Sequence, residues 1–505
     1  MRYLLGIDIG TSGTKTVLFT ENGRPVRSHT VEYPMSQPHN GWAEQNPEDW
    51  WRASAEGCRC VLNGIDPALV CGVGLSGQMH GLVMLDESGR VLRPSIIWCD
   101  QRTGEACEKM EETVGRSRLI EITGNPAMTG FTAAKILWVK EHEPEIYEKC
   151  RHILLPKDYI RYMLTGEYAT EVSDASGMQL LDIGARNWSA ELLQLLDIDR
   201  SLLASMHESV EITGQVTAWA AGQTGLHAGT SVVGGAGDNA AAAVGTGVVH
   251  QGNAFTTIGT SAVIYAVSDE PHIDRAGRVH SLCASVPGKW TVMSCTQSAG
   301  LALRWLRDTA FRTEGKEALA KGASAYDVMS SMAEGVPLGA DKLLFLPYLM
   351  GERSPHPNPD CRGVFFGLAA MHTPAHLIRA VMEGVAFSQR ECLDVFREMN
   401  VPVSDMTVVG GGSRSALWRG ILRDMYNCPI YTLTSDEGGA LGAALLAGTG
   451  VGLFQNLEEA VANTVHKIGP ELPNAENHLS YEPYFELYKK LYKDLFSDFK
   501  QLAAL

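Results

Sequence analysis

"MRYLLGIDIGTSGTK" (residues 1–15) sets an apolar run against one carboxylate, Asp8, then a turn of Gly, Thr and Ser, then Lys15. Residues 3–9 read as a buried strand and 15–20 as its hairpin partner across that turn. Glycine lets another backbone come close, and the hydroxyls and exposed amides of such a turn can hold phosphate oxygens. A carboxylate at the strand end beside them can hold Mg²⁺, usually through water. The chain then says part of this again. "TTIGTSAVIYAV" (256–267) repeats Ile-Gly-Thr-Ser in the same strand–loop–strand setting. Two such hairpins, one per domain, suit a clamp on a nucleotide's phosphates from opposite sides; the alternative is a coincidental four-residue turn.

Working outward, 505 residues suit two domains of roughly 250 residues each. A boundary near 247 gives an N-terminal domain, 1–247, and a C-terminal domain, 248–505. The net charge of −16 argues against nucleic acid or an anionic membrane as the main partner. The 11 cysteines are odd in number and irregularly spaced, which reads as free buried thiols in a reducing cytoplasm. Asp8 breaks the only N-terminal apolar run, so no signal peptide is expected. The uncharged stretch 239–268 carries too many Gly and Thr to suit a membrane span.

Asn46-Pro47-Glu48-Asp49 is a helix start: Asn cap, Pro at the first position, acids in the first turn. Strands are expected at 70–75 and 91–98, and helices at 101–113 and 131–143. In the second half, "HLIRAVMEGVAFSQRECLDVFREM" has the spacing of a long amphipathic helix. "MTVVGGGSRSALWRGILRDM" reads as strand, Gly loop, helix. Ala240–Val244 reads as helix filler, and Leu487, Leu491 and Leu495 as the packing stripe of a C-terminal helix.

There is no G-x-x-x-x-G-K-[ST], so the P-loop solution is excluded. Gly72-Val-Gly74-Leu-Ser-Gly77 fits the dinucleotide pattern, but loop and strand follow it rather than the helix that would take a pyrophosphate. In "GGAGDNAAAAVGTG" (234–247), Asp238 sits between a Gly run and an Ala-rich helix. It is either an N-cap or a general base accepting a hydroxyl proton during phosphoryl transfer. "LSGQMHG" (75–81) places Gln78, Met79 and His80 in a turn bracketed by glycines, with room for something small. "IIWCDQR" (96–102) puts Trp98, Asp100 and Arg102 at a strand end, where an aromatic face and polar groups suit a polyol.

These segments together resemble the FGGY family of carbohydrate kinases over about 1–500. "GIDIGTSGTK" matches the family's first phosphate motif; "GFTAAKILWVKEH" (130–142) and "GVFFGLAAMHTPAHLIRAVME" (363–383) match its two long signatures. "SGQMHG" and "LLPKDYIRYMLTGE" (154–167) are similar to the branch acting on xylulose, from which Cys99 departs. The resemblance implies an α/β, two-domain actin/hexokinase-like (ribonuclease H-like) fold with a duplicated core and an interdomain active-site cleft. It implies Asp238 as catalytic base, and a sugar wall of Gln78, Met79, His80, Trp98, Asp100, Arg102 and Asn239. ATP would meet Thr11, Ser12, Thr14 and Lys15, Gly259 and Thr260, and Gly411, Gly412 and Ser413, with Mg²⁺ at Asp8 and Asp238. The implied reaction is ATP-dependent phosphorylation of D-xylulose by a cytoplasmic enzyme, a homodimer by the same resemblance. The alternatives are another ketose or polyol (ribulose, glycerol, gluconate) or an actin- or chaperone-like ATPase.

Overall fold

The computed structural model describes residues 2–311, 324–435 and 437–505. The chain divides into two units, each built from separate segments: Met1–His250, Val267–Thr291 and Glu437–His466 in one, Gln251–Ala266, Val292–Asp436 and Lys467–Leu505 in the other.

The sheet of the first unit runs in the order Ile212–Gln215, Ser231–Val233, Val70–Gly77, Tyr3–Ile9, Gly13–Thr20, Pro25–Glu32, with Ala236–Gly237 also pairing onto Val70–Gly77. The first strand is antiparallel to the second and parallel to Val70–Gly77, so Asp8 lies opposite Lys15 on one side and Ser76 on the other. Leu4, Leu5, Ile7 and Ile9 are fully buried, as a strand covered on both faces requires. Each such side chain contributes about 1.5–3 kcal/mol of burial. Gly6 has a steric cause: a Cβ there would fall 2.0 Å from the carbonyl oxygen of Ala440, on the helix Gly438–Gly450 packed on the sheet.

In the second unit the strands follow the order Trp290–Thr296, Ala262–Ser268, Gly252–Ile258, Val403–Val409, Ile430–Leu433, Lys467–Glu471. Gly252–Ile258 is antiparallel to Ala262–Ser268 and parallel to Val403–Val409; the next strand is parallel and the last antiparallel. That is the plan of the first sheet, so the four-residue echo marks a duplicated core. The two turns differ in length: Ile9 pairs with Thr14 but Ile258 pairs with Ala262. Each is closed from its glycine, Gly10 N–H to Gly13 and Gly259 N–H to Ser261, both at 3.0 Å.

Helices form at Gly104–Val114 and Thr132–His142, and at Pro47–Leu62, where Asn46 Oδ1 accepts from Glu48 N–H. The long helix is Pro374–Glu398, capped by Thr373 and His376. Four local expectations fail. Only Ser95–Ile96 of 91–98 is strand, because Pro94 has no N–H to give a ladder. The C-terminal helix buries Tyr481, Phe485, Tyr488 and Tyr492 along with Leu491, while Leu487 is 38% exposed. The aromatic rings bury more area, and Tyr488 also bonds Tyr348 through their hydroxyls at 2.9 Å. Of the 11 cysteines, all free, six are buried, but Cys60 is exposed. Ala240–Val244 is more than filler: helix Asp238–Gly245 packs backbone to backbone on Gly438–Gly450, and a Cβ on Gly442 would lie 1.8 Å from the Ala241 carbonyl oxygen. Among the described residues no helix is long and apolar enough to cross a membrane.

Candidate active site

The first unit gathers Asp8, the Gly10–Gly13 turn, the 78–80 turn, Trp98 and Asp238. Asp8 Oδ1 accepts from Ser76 Oγ at 2.7 Å, and a Cβ on Gly439 would lie 2.8 Å from Oδ2, so glycine keeps the second oxygen clear. Burial holds the Asp8 carboxyl above its ordinary value. Lys15, its cross-strand neighbour, forms a 2.6 Å ion pair with Glu437. Ser12 is exposed at the turn's tip, but Thr14 is fully buried and shares a 3.3 Å hydrogen bond with the Tyr33 hydroxyl. The Thr14 side chain therefore does not reach a ligand at the turn, contrary to the expectation, because it occupies the inward side of the second strand.

The 78–80 turn is held from three sides. Gln78 Nε2 donates to Gln45 Oε1 at 2.8 Å. The His80 ring stacks on Phe131 with centroids 4.1 Å apart, and its Nδ1 lies 2.9 Å from the Gly177 carbonyl oxygen. The His80 carbonyl accepts from Lys135 Nζ (2.8 Å) and Thr132 Oγ1 (3.1 Å). These bonds give His80 a φ of +70° and explain part of the 130–142 signature: the buried Lys135 ammonium braces this turn. Met79 packs on the residue before Asp238, since a Cβ on Gly237 would fall 2.9 Å from Met79 Cγ.

Asp238 opens the helix Asp238–Gly245, with Gly237 in the cap position, so the N-cap reading is not what forms. Its Oδ1 accepts from Asn239 N–H (2.7 Å) and Asn239 Nδ2 (2.9 Å). Burial and then the charge of Asp8 push its carboxyl up to about 7. Asp8 pairs across the sheet with Ser76, and Ser76 with Ala236, two residues before Asp238, so the two carboxylates stand at neighbouring strand ends. Their free oxygens are hard donors that suit Mg²⁺. Among the described residues no group of three side chains could hold a metal alone. Mg²⁺ commonly keeps waters and phosphate oxygens, so two carboxylates fit its needs.

Asp100 and Arg102 are corrected by the structure. Asp100 is fully buried, with carboxylate–guanidinium contacts to Arg102 of 2.8–3.0 Å and the Ala43 N–H at 2.6 Å. The Arg102 guanidinium lies 3.6 Å from the Trp42 ring centre and pairs with Glu44. Both groups turn inward because buried charges need partners, and they brace the segment carrying Trp98 instead of facing a ligand. Trp98, 38% exposed, remains at the surface, and its Nε1 donates to Thr11 Oγ1.

A buried charge cluster underlies the Asp238 turn. Lys157 Nζ lies 2.7, 3.3 and 3.5 Å from Asp158, Glu171 and Asp174. Glu171 accepts from Ser173 Oγ (2.9 Å), and Ser173 Oγ accepts the Gly237 N–H (3.3 Å). Sequence reading missed this cluster, whose charges carry no mark of being buried, and it missed Gln45, Ser76, Glu437 and Gly439, whose partners lie far away in the chain.

The second unit holds a cavity of about 310 Å³ lined by Gly259, Thr260, Gly300, Arg304, Tyr326, Asp327, Gly411, Gly412 and Ser415. The second turn and the Gly411-Gly412 loop thus share one cavity. Ser413 does not line it: its hydroxyl folds back to the Gly410 carbonyl oxygen at 2.7 Å. The missed Tyr326, Asp327 and Ser330 come from a helix, Ala325–Glu334, that carries no phosphate-loop signature.

The N-terminal domain of the FGGY family of carbohydrate kinases matches residues 3–245, and the C-terminal domain of that family matches 254–451. The chain is 38% identical to a xylulose kinase of Bacillus subtilis over 489 residues, 96% of each chain. It is 40% identical to a xylulose kinase of Escherichia coli over 483 residues, 95% of this chain and 96% of the other. The crystal structure of a xylulose kinase from Rhodospirillum rubrum superposes with a TM-score of 0.91 at 30% identity, covering 99% of this chain and all of that one (100%).

Proposed function

Because this chain belongs to the FGGY family of carbohydrate kinases, we propose that it transfers the γ-phosphoryl group of ATP to D-xylulose, giving D-xylulose 5-phosphate, with Asp238 as general base. The observation that carries the mechanism is the carboxyl of Asp238, poised at about 7 beside Met79 and within the field of Asp8. A general base works best with a pKa near the operating pH. The oxygen not engaged by Asn239 takes the proton of the sugar's terminal hydroxyl. The sugar's hydroxyl oxygen, losing that proton, bonds to the γ-phosphorus as the bond from phosphorus to the β–γ bridging oxygen breaks and ADP leaves. Phosphoryl transfer asks chiefly for alignment and charge neutralisation.

Met79, His80, Gln78, Trp98 and Asn239 bind and orient the sugar in this reading, with Asp100 and Arg102 behind them as positioning residues. Thr11, Ser12 and Lys15 in the first unit are phosphate-binding groups in this reading, and so are Gly259 and Thr260 in the second. Gly411 and Gly412 flank the adenosine, where Asp327 and Tyr326 offer a carboxylate for ribose hydroxyls and a ring for the base. Asp8 would hold Mg²⁺, with Asp238 supporting the ion by its charge because its free oxygen is the proton acceptor; the ion supplies neutralisation of the phosphate charge. The sugar groups fall within residues 1–247 and the adenosine groups within 248–505. A cytoplasmic location fits the same reading.

The test is one sugar-dependent ADP-release assay across D-xylulose, L-xylulose, D- and L-ribulose, glycerol and gluconate. D-xylulose is expected to give the highest kcat/KM. A higher value for any other sugar sinks the substrate assignment, and ADP release that ignores sugar altogether sinks the kinase reading.

A further inference from the structure

The first phosphate turn is shaped by side chains that lie outside its own motif. Three successive carbonyls of the turn are held by donors. Gly10 C=O accepts from Tyr33 Oη at 2.6 Å and from Gln78 Nε2 at 3.4 Å. Thr11 C=O accepts from Gln45 Nε2 at 2.7 Å, and Ser12 C=O from the Tyr33 N–H at 3.3 Å. A trans peptide is planar, with its C=O and the following N–H pointing opposite ways. Holding Gly10 C=O therefore turns the Thr11 N–H away from the anchors, and holding Thr11 C=O does the same to the Ser12 N–H. Among the described residues neither amide donates a hydrogen bond. Two successive amides left free on one side form an anion-binding concavity.

Gln45 is itself locked. It is 2% exposed, and its Oε1 accepts from Gln78 Nε2 (2.8 Å) and from Trp50 Nε1 (3.2 Å). Both neighbours are donors, so the amide cannot flip, and its NH₂ must face the Thr11 carbonyl. The second turn reaches the same end by main chain alone. Gly259 C=O accepts from Gly300 N–H (2.7 Å), and Thr260 C=O from Ala299 N–H (3.0 Å) and Leu301 N–H (3.1 Å). Pinned carbonyls are thus common to both copies of the turn, but only in the first do replaceable side chains supply the donors.

We propose that Gln45 and Tyr33 are positioning residues for triphosphate binding: they hold the Gly10 and Thr11 carbonyls so that the Thr11 and Ser12 amides face the phosphate oxygens. This rests on reading the Gly10–Gly13 turn as a phosphate site.

The test uses Gln45→Leu and Tyr33→Phe in the full-length enzyme, with Gln45→Glu as a near-isosteric variant that lacks the donor should Gln45→Leu fail to fold. Losing one such hydrogen bond is expected to raise the KM for MgATP about tenfold. The affinity for adenosine should stay within about twofold of wild type in every variant, and so should the KM for the ketose in Tyr33→Phe and Gln45→Glu, which keep the acceptor for Gln78, a split that general loosening would not give. Backbone amide signals of selectively labelled Thr and Ser supply the second readout. In wild type, ADP should shift Thr11 and Ser12 and adenosine should not; in Gln45→Leu the ADP shifts should shrink. Absence of the ADP shift in wild type overturns the phosphate-site reading itself. Wild-type shifts that persist unchanged in folded Gln45→Leu or Gln45→Glu, with an unchanged MgATP KM, overturn only the anchoring role. Equal weakening of ATP and adenosine does the same.

Discussion

Trp98 Nε1 donates to Thr11 Oγ1 across 2.9 Å, so a side chain of the proposed sugar wall and one of the proposed phosphate turn share a hydrogen bond. Thr11 Oγ1 donates in turn to Gln78 Oε1 at 3.4 Å, returning the chain of bonds to the 78–80 turn. Trp98→Phe keeps a ring and deletes the donor. At about 1 kcal/mol for a net hydrogen bond, kcat/KM for the ketose should fall roughly fivefold. Thr11→Val should lose somewhat more, since it also deletes the bond to Gln78, and the double variant little more than Thr11→Val, because the Trp98–Thr11 bond is already gone in each single variant. Fully additive losses in that cycle would show that the bond does not matter.

Asp238→Asn should strengthen the fold at alkaline pH. Its folded carboxyl is raised to about 7, so the ionised form is destabilised relative to the unfolded chain. Wild-type stability from this group is present at acid pH and declines as pH rises through 7. The amide carries no such charge, so the Tm of Asp238→Asn should exceed that of wild type at pH 8, with the gap closing toward pH 5. A gap that widens on acidification contradicts the assigned shift.

Asp8→Asn removes the second cause of that shift. The Asp238 carboxyl, followed by NMR in nucleotide-free protein, should titrate at a lower pH than in wild type while remaining above its ordinary value, since burial persists. No change on substitution would mean the two carboxylates do not interact.

Gly442→Ala acts without touching a ligand. The added Cβ meets the Ala241 carbonyl oxygen at 1.8 Å and must push helix Asp238–Gly245 off its seat. Overpacking of this kind costs about 1–3 kcal/mol, and kcat should fall more than either KM as Asp238 is displaced. Unaltered kcat in the folded variant would show that the helix seat does not set the base.

Lys157→Met leaves Asp158, Glu171 and Asp174 without their shared cation. Breaking a buried pair typically costs about 3–5 kcal/mol, so chemical denaturation should show a large loss at neutral pH. A loss under about 1 kcal/mol would mean that the cluster is solvated in solution.

The parts of the site legible in the chain were those with local signals. The strand–turn–strand pattern and its echo gave both hairpins, because apolar runs and glycine act over a few residues. Asp238 stood out between a Gly run and an Ala-rich helix. What failed was where side chains turn. Asp100 and Arg102 look ligand-facing from composition, yet they pair with each other; Thr14 sits one residue from Lys15 but on the opposite face of its strand. The anchors of the first turn were invisible for a related reason. Gln45 bonds a residue 34 positions away and the Tyr33 hydroxyl one 23 positions away, and neither pairing leaves a mark on neighbouring residues. The C-terminal stripe follows the larger tyrosines and phenylalanines, which bury more area than the leucines at the same helical spacing.

The most direct measurement is the turnover of Asp238→Asn with D-xylulose and MgATP, in protein shown by its melting curve to be folded. General-base catalysis supplies about 10²–10⁴-fold, so kcat should fall by at least a hundredfold while adenosine binding is retained. Wild-type turnover in that variant would contradict the account at its centre.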